Sequence, residues 1–193
     1  MNSLTQYTAL LPLRLVPDSD PTLRQPARAI EADELGSKPL ATIIAQMWAI
    51  LDATPHGIGL AAPQVGLPLR IFLASFGEQR LTLINPVLER MDLLARIEAV
   101  EGCLSLPGYQ ARVRRTAEVT ITGLDEHGKA ARHIGHGTMA RIFTHELDHL
   151  DGRLYIDRML PGTLEALTPS AIEATPSSRR STTKRTRAAR AAR

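Results

Sequence analysis

Apolar residues recur along the chain with two periods, and the change between them marks out its elements. Leu40, Ile43, Ile44, Met47, Trp48, Ile50 and Leu51 fall at mostly helical intervals and predict a long helix over 30–54, with Asp33 as its N-cap and Pro39 interrupting its early part. Three prolines between Pro17 and Pro26 predict an extended, turn-rich lead-in anchored by Leu15, Val16 and Leu23. After the helix a glycine-rich segment runs from Pro55 to Gln64, and two strands follow at 69–76 and 81–84 around a turn at Gly77. The stretch 87–100 fits either a strand or a short helix. Alternation over 117–123 and 130–134, with Asp125-Glu126-His127-Gly128 between them, predicts a hairpin. Met139, Ile142, Phe143, Leu147 and Leu150 then share one face of a second helix that opens at Gly137 and stops at Gly152. An edge segment over 153–160 and a short helix over 164–172 complete the pattern. These elements describe an α+β domain: mainly antiparallel strands packed around the second helix, with the long helix on the N-terminal side.

Composition narrows the class. With 193 residues, 44% of them hydrophobic, the chain suits one domain with a sizeable core. No apolar run approaches the roughly 20 residues that a membrane-spanning helix requires, and residues 1–15 do not resemble a targeting segment. A soluble cytoplasmic protein is the expectation. The single cysteine, Cys103, permits no intrachain disulfide and suits a reducing compartment. The formal charge of +3 is unevenly placed. Seven basic and no acidic residues lie between Arg179 and Arg193, and without them the chain carries 16 basic against 20 acidic residues, a net of −4. Such a tail suits a polyanion such as RNA or an anionic membrane surface; a disordered, solubilising end has the same composition.

The chemistry concentrates in Thr144-His145-Glu146-Leu147-Asp148-His149. Four residues apart on a helix, His145 and His149 lie on one face, where two imidazoles converge on one ion. Glu146 then stands beside that ion and is free to exchange a proton with water. A catalytic centre of this kind takes a third protein ligand, and three positions compete for the role. One metalloprotease pattern places a histidine six residues beyond the second, where this chain has Tyr155. Another uses a glutamate further on, for which Glu165 is the nearest. The third is Cys103, in Glu101-Gly102-Cys103-Leu104-Ser105-Leu106-Pro107-Gly108, whose thiolate suits iron or zinc and whose loop-like, glycine-containing surroundings let the backbone approach a ligand. It fits best.

Three strings together, GIGLAAPQ at 57–64, EGCLS at 101–105 and HELDH at 145–149, resemble the signature motifs of the peptide deformylases in their order and separation. The resemblance runs from Asp20 to Arg158 and leaves out the arginine-rich tail. It implies hydrolysis of the formyl group from the N-terminal formylmethionine of nascent polypeptides, by a metal held on Cys103, His145 and His149 with Glu146 as general acid and base. It also implies that the side-chain amide of Gln64 and the backbone N–H of Leu104 face the developing oxyanion. Family precedent favours ferrous iron, and the same donors accept zinc, nickel or cobalt. Gly57, Ile58 and Gly59 are expected to pair with an extended peptide, and Ile58 and Ile142 to enclose its methionine. Glu101 and Asp148, with Arg115, are expected to hold the ligands in place, and Arg141 to meet the substrate backbone or solvent. Residues 1–160 are thus expected to form the catalytic domain, 161–178 a C-terminal extension and 179–193 a disordered basic tail, for which the ribosome is one candidate partner and a merely solubilising end the other reading. Two rivals stand beside this reading: a zinc peptidase using His145, His149 and Glu165, and a catalytically silent ribosome- or RNA-binding protein.

Overall fold

The computed structural model describes residues 4–168; the basic tail and the end of the helix expected over 164–172 lie outside them. Two antiparallel sheets and two helices carry the architecture. Strands β1 (Gly59–Ala61), β2 (Ile71–Phe76), β3 (Gln79–Met91), β6 (Glu118–Leu124) and β7 (Ala130–His136) form a five-stranded sheet in the order β1-β2-β3-β6-β7. Strands β4 (Arg96–Cys103), β5 (Leu106–Thr116) and β8 (Glu165–Ala166) form a second sheet in the order β4-β5-β8. Helices α1 (Thr5–Thr8), α2 (Lys38–Ala53) and α3 (Thr138–Leu150) complete the set with three short 3₁₀ turns.

The middle of the five-stranded sheet is buried on both faces, which explains why β2 reads as a continuous apolar run instead of an alternating one. Ile71 and Leu73, with Ile84 of β3, join the cluster that contains Leu40, Ile43, Ile44, Met47 and Leu51 of α2. Their neighbours Phe72 and Ala74, with Leu83, Val119 and Ile121, join Ile142, Phe143, Leu147 and Leu150 of α3. Side chains alternate along a strand, so the sheet lies between the two helices. Gly135 on β7 allows that approach, because a Cβ there would stand 2.8 Å from the Phe143 ring.

Several boundaries differ from expectation. The first long helix begins at Lys38, capped by Ser37 Oγ and not by Asp33. Pro39 sits in its opening turn, where a missing N–H breaks no helical bond, and so starts the helix instead of interrupting it. The short helix α1 had no signal in the sequence. Strand β3 runs through Pro86 to Met91, its register shifting between Ile84 and Val87. The ambiguous 87–100 stretch is thus the end of one strand and the start of the next, around a turn whose Asp92 carboxylate accepts from the Leu94 and Ala95 N–H groups. The region around Cys103 is not a loop: Glu101, Gly102 and Cys103 end β4, and Leu106 begins β5. The segment 153–160 contributes a 3₁₀ turn at Tyr155–Asp157 and a single bridge between Met159 and Val113. The short helix expected over 164–172 is, in its described part, strand β8.

Candidate metal centre

Helix α3 and the end of β4 meet over one small volume. The ligand atoms of Cys103, His145 and His149 all lie within 4.8 Å of one another, with Cys103 Sγ 3.2 Å from His149 Nε2. Donor atoms around one ion at ordinary metal–sulfur and metal–nitrogen lengths lie about 3.5 Å apart, so the trio fits a single divalent cation. His145 Nδ1 donates to Glu101 Oε2 at 2.9 Å, so Nε2 is the ring nitrogen that would take a metal. The surrounding charges agree with a cation. Burial opposes a proton on His145, yet its bonds to Cys103 and Glu101 and the nearby Glu146 push it up to about 10. Burial, with the charge of His145, holds His149 well below the usual imidazole range, which keeps it in the neutral form a metal requires.

Glu146 follows His145 on the helix, and its carboxylate lies against Gly59 of β1. Burial pushes its carboxyl up to about 7, against the pull of His145 and Arg115. Its Oε1 lies so close to Gly59 that a Cβ there would come within 2.2 Å of it. The glycine therefore makes room for the carboxylate. Gln64, 1% exposed, accepts the Ala61 N–H on Oε1 at 2.8 Å, and this bond turns Nε2 toward Cys103 Sγ at 3.4 Å. Its amide orientation is thereby fixed, with the donor facing the cluster.

A buried ionic network ties the two ligand-bearing elements together. Arg115 of β5 forks onto both oxygens of Glu101 at 2.8 Å and reaches Asp148 of α3 at 2.6 Å. Arg158 holds Asp148 at 2.7 Å through both oxygens. Burial raises the cost of a charge on Glu101, but the bonds from Arg115 and His145 overcome it and hold the carboxyl well below the usual carboxylate range. Glu101 thus orients His145 while Arg115 orients Glu101. Arg141 lines the cavity and is held in place from behind. It pairs with Glu101 and donates to the carbonyls of Val113 and Ile97, so it belongs to the same clamp.

Cys103 and His145 line a cavity of about 420 Å³, with the buried His149 behind them. The cavity is lined by Gly57, Ile58 and Gly59, by Val100 to Leu104 and Gly108 to Gln110, and by Ile142, His145 and Glu146 of α3. Ile142 is buried and Ile58 is 37% exposed. Strand β1 is an edge of its sheet, so Gly57 to Gly59 approach the cavity from an unpaired edge.

The sequence model of the polypeptide deformylase family matches residues 12–164. The chain belongs to that family. Over 173 residues it is 38% identical to peptide deformylase 1A, chloroplastic/mitochondrial, of Arabidopsis thaliana, covering 79% of this chain and 63% of that protein. It therefore spans less than two thirds of the plant protein's length. Peptide deformylase of Mycolicibacterium paratuberculosis is 39% identical over 165 residues, covering 79% of the chain and 82% of that protein. The crystal structure of a peptide deformylase from Synechococcus elongatus in complex with actinonin superposes with a TM-score of 0.72 and 37% identity, covering 78% of this chain and 80% of that one. The mixed fold of helices and antiparallel sheets is that of solved deformylases.

Within this deformylase fold the three motifs meet at one place, whereas Glu165 does not join them. It is exposed on β8, where its carboxylate accepts from Gln110 Nε2 at 3.3 Å, and the zinc-peptidase alternative loses its third ligand. Tyr155, considered only as the place of an absent histidine, is buried with its ring stacked on His145, the centroids 6.3 Å apart. Its only sequence signal was the apolar Leu154-Tyr155 pair after the helix-ending Gly152. His133 and His136 lie on β7, where the exposed His136 stands 3.2 Å from the Glu118 carboxylate.

Proposed function

We propose that this chain is a peptide deformylase that removes the formyl group from the N-terminal N-formylmethionine of newly made polypeptides. The observation that carries the reading is the convergence of Cys103, His145 and His149 at a cavity lined by Glu146 and bordered by the unpaired edge of β1. In this reading α3 is the central, metal-binding helix of the domain. Cys103, His145 and His149 hold one divalent ion, proposed to be ferrous iron, with zinc, nickel or cobalt compatible with the same donors. Such an ion, when bound, polarises the formyl carbonyl and makes water acidic enough to attack near neutral pH.

The chain's own groups do the rest. Glu146 takes the proton released as water attacks and returns it to the departing nitrogen, so one carboxyl serves both halves of the reaction. Gln64 Nε2 and the Leu104 N–H donate to the oxygen on which negative charge grows; neither adds a competing charge beside the thiolate. Gly57 to Gly59 pair with the extended peptide through backbone groups, which are indifferent to its side chains, while Ile58 and Ile142 enclose the methionine. That combination suits an enzyme that reads one residue and accepts almost any sequence after it.

Residues 1–160 form the catalytic domain in this proposal and 161–178 an extension. The basic tail over 179–193 then offers a contact to the ribosome, and the site of action is the cytoplasm. Among the described residues no helix is long and apolar enough to cross a membrane.

The test is formate release from formyl-Met-Ala-Ser by the full chain purified without oxygen, alongside elemental analysis. Activity that follows the content of one divalent metal per chain is the expected result. For Glu146→Gln the metal should remain while kcat falls by roughly 10²- to 10⁴-fold. A metal-loaded chain that releases no formate would overturn the proposal.

A further inference from the structure

The peptide cavity has an apolar rim that the metal chemistry does not use. Ile58, Val100 and Tyr109 are 37%, 48% and 45% exposed, and all three line it. So does Leu167, which lies beyond residues 12–164, the stretch matched by the family. It is brought there by β8, whose Ala166 and Glu165 pair with Tyr109 and Gln110 of β5. The Leu167 N–H then donates to the Gly108 carbonyl at 2.7 Å. Because β5 lies between β4 and β8, the cavity wall runs across the sheet from Cys103 on β4, over Tyr109, to Leu167 at the side remote from the ligand cluster.

We propose that Leu167, with Tyr109, forms a subsite for an apolar side chain at the third residue of the formylated peptide. The inference rests on the deformylase reading, which sets the formyl end at the ligand cluster and sends later residues toward the opposite side. Side chains of an extended peptide alternate between faces. A methionine turned into the cavity therefore places the second side chain outward and the third inward again. The backbone pairing at Gly57 to Gly59 cannot distinguish that third residue; an apolar wall can. Leu167 thus adds a sequence preference to an otherwise permissive site.

The test compares formyl-Met-Ala-Leu with formyl-Met-Ala-Ser, using the metal-loaded full chain and its Leu167→Ala, Leu167→Asp and Tyr109→Ala variants. Binding of the products Met-Ala-Leu and Met-Ala-Ser, measured by titration calorimetry, gives a readout independent of turnover. A half-open apolar subsite discriminates less than an enclosed pocket, so the wild type should favour the leucine peptide by roughly three- to tenfold, expressed in KM. The ratio should fall toward one in Leu167→Ala and Tyr109→Ala and below one in Leu167→Asp, with the product affinities following. A purely structural role for Leu167 would weaken both peptides together and leave the ratio standing, which would overturn the proposal. A wild type that releases formate from both peptides equally would overturn it while leaving the deformylase reading intact. Release from neither would remove both.

Discussion

Glu146 and Gly59 show how much of this site depends on single atoms. The carboxylate occupies the volume a methyl group on residue 59 would fill, with Oε1 at 2.2 Å from that Cβ position. Gly59→Ala must therefore displace the Glu146 side chain, while Cys103, His145 and His149 stay on their own elements. Misplacing a catalytic group by about 1 Å costs on the order of 10²-fold in turnover. The expected outcome is a kcat reduced by about that factor with metal content by elemental analysis unchanged; full activity would show that the carboxylate position is not limiting. The glycine was legible in the sequence only as a backbone partner for a peptide. Its steric role could not be read there, because it depends on a side chain 87 positions later that only the folded β1–α3 contact brings alongside. The shared face of His145 and His149 was legible for the converse reason: their four-residue spacing is a property of one helix, and needs no tertiary knowledge. Arg141 illustrates the limit, since its acceptors are Glu101, Val113 and Ile97 on two strands of the other sheet.

At the scale of elements, α3 and the β4–β5 hairpin are joined by charge more than by apolar packing. The Arg115 side chain is 5% exposed and bridges Glu101 and Asp148, whose side chains are 4% and 7% exposed. Removing the guanidinium takes away the one cation that joins Glu101 to Asp148, leaving Glu101 with Arg141 and His145 and Asp148 with Arg158. Breaking a buried pair in this way costs about 3–5 kcal/mol, most of it from the charges left behind. Arg115→Ala is expected to lose that much in denaturant unfolding of the metal-free protein. Arg115→Lys should recover only part, because an ammonium cannot fork onto both Glu101 oxygens. A loss below about 1 kcal/mol would mean that water replaces the clamp. A second pair joins the lead-in to the turn before α2: Arg28 meets both oxygens of Glu34 at 2.8 Å. The bond from Arg28 holds the Glu34 carboxyl below its ordinary value of 4.5, and burial opposes the shift. A carboxyl lowered on folding contributes its stability above the unfolded value and loses it as pH falls through the folded one. Glu34→Gln should therefore be less stable than wild type by on the order of 1 kcal/mol near pH 7, and the difference should vanish only at a pH below the lowered folded value. Equal urea midpoints at both pH values would exclude the linkage. This tie was invisible in the sequence reading, which extended the first helix back over Glu34 because the apolar spacing gave no sign that Ser37 would cap it. The hairpin β6–β7 was legible because Asp125, whose carboxylate accepts from the His127 and Lys129 N–H groups, encodes its turn locally.

Over the whole molecule the charge divides as the sequence does. The first 178 residues carry a net −4, and the last fifteen carry seven cations and no anion. A mildly acidic body gives nucleic acid little reason to approach it, so any attraction to ribosomal RNA is assigned to the tail. The two parts then have separable tests. Truncation after Thr175 leaves every residue of the ligand cluster, the Arg115 clamp and the proposed Leu167 subsite in the chain, and turnover of formyl-Met-Ala-Ser should match that of the full protein. Ribosome association should instead weaken in the truncated chain. If all seven cations engage phosphates, raising the salt from about 50 to 200 mM should lower the full chain's affinity on the order of 10³-fold through counterion release. Co-sedimentation with ribosomes over that salt range reads both effects. An association that survives truncation, or one indifferent to salt, would move the contact from the tail to the folded body, where the arginines at 70, 96, 114, 153 and 158 around a second cavity of about 660 Å³ would be the next surface to substitute.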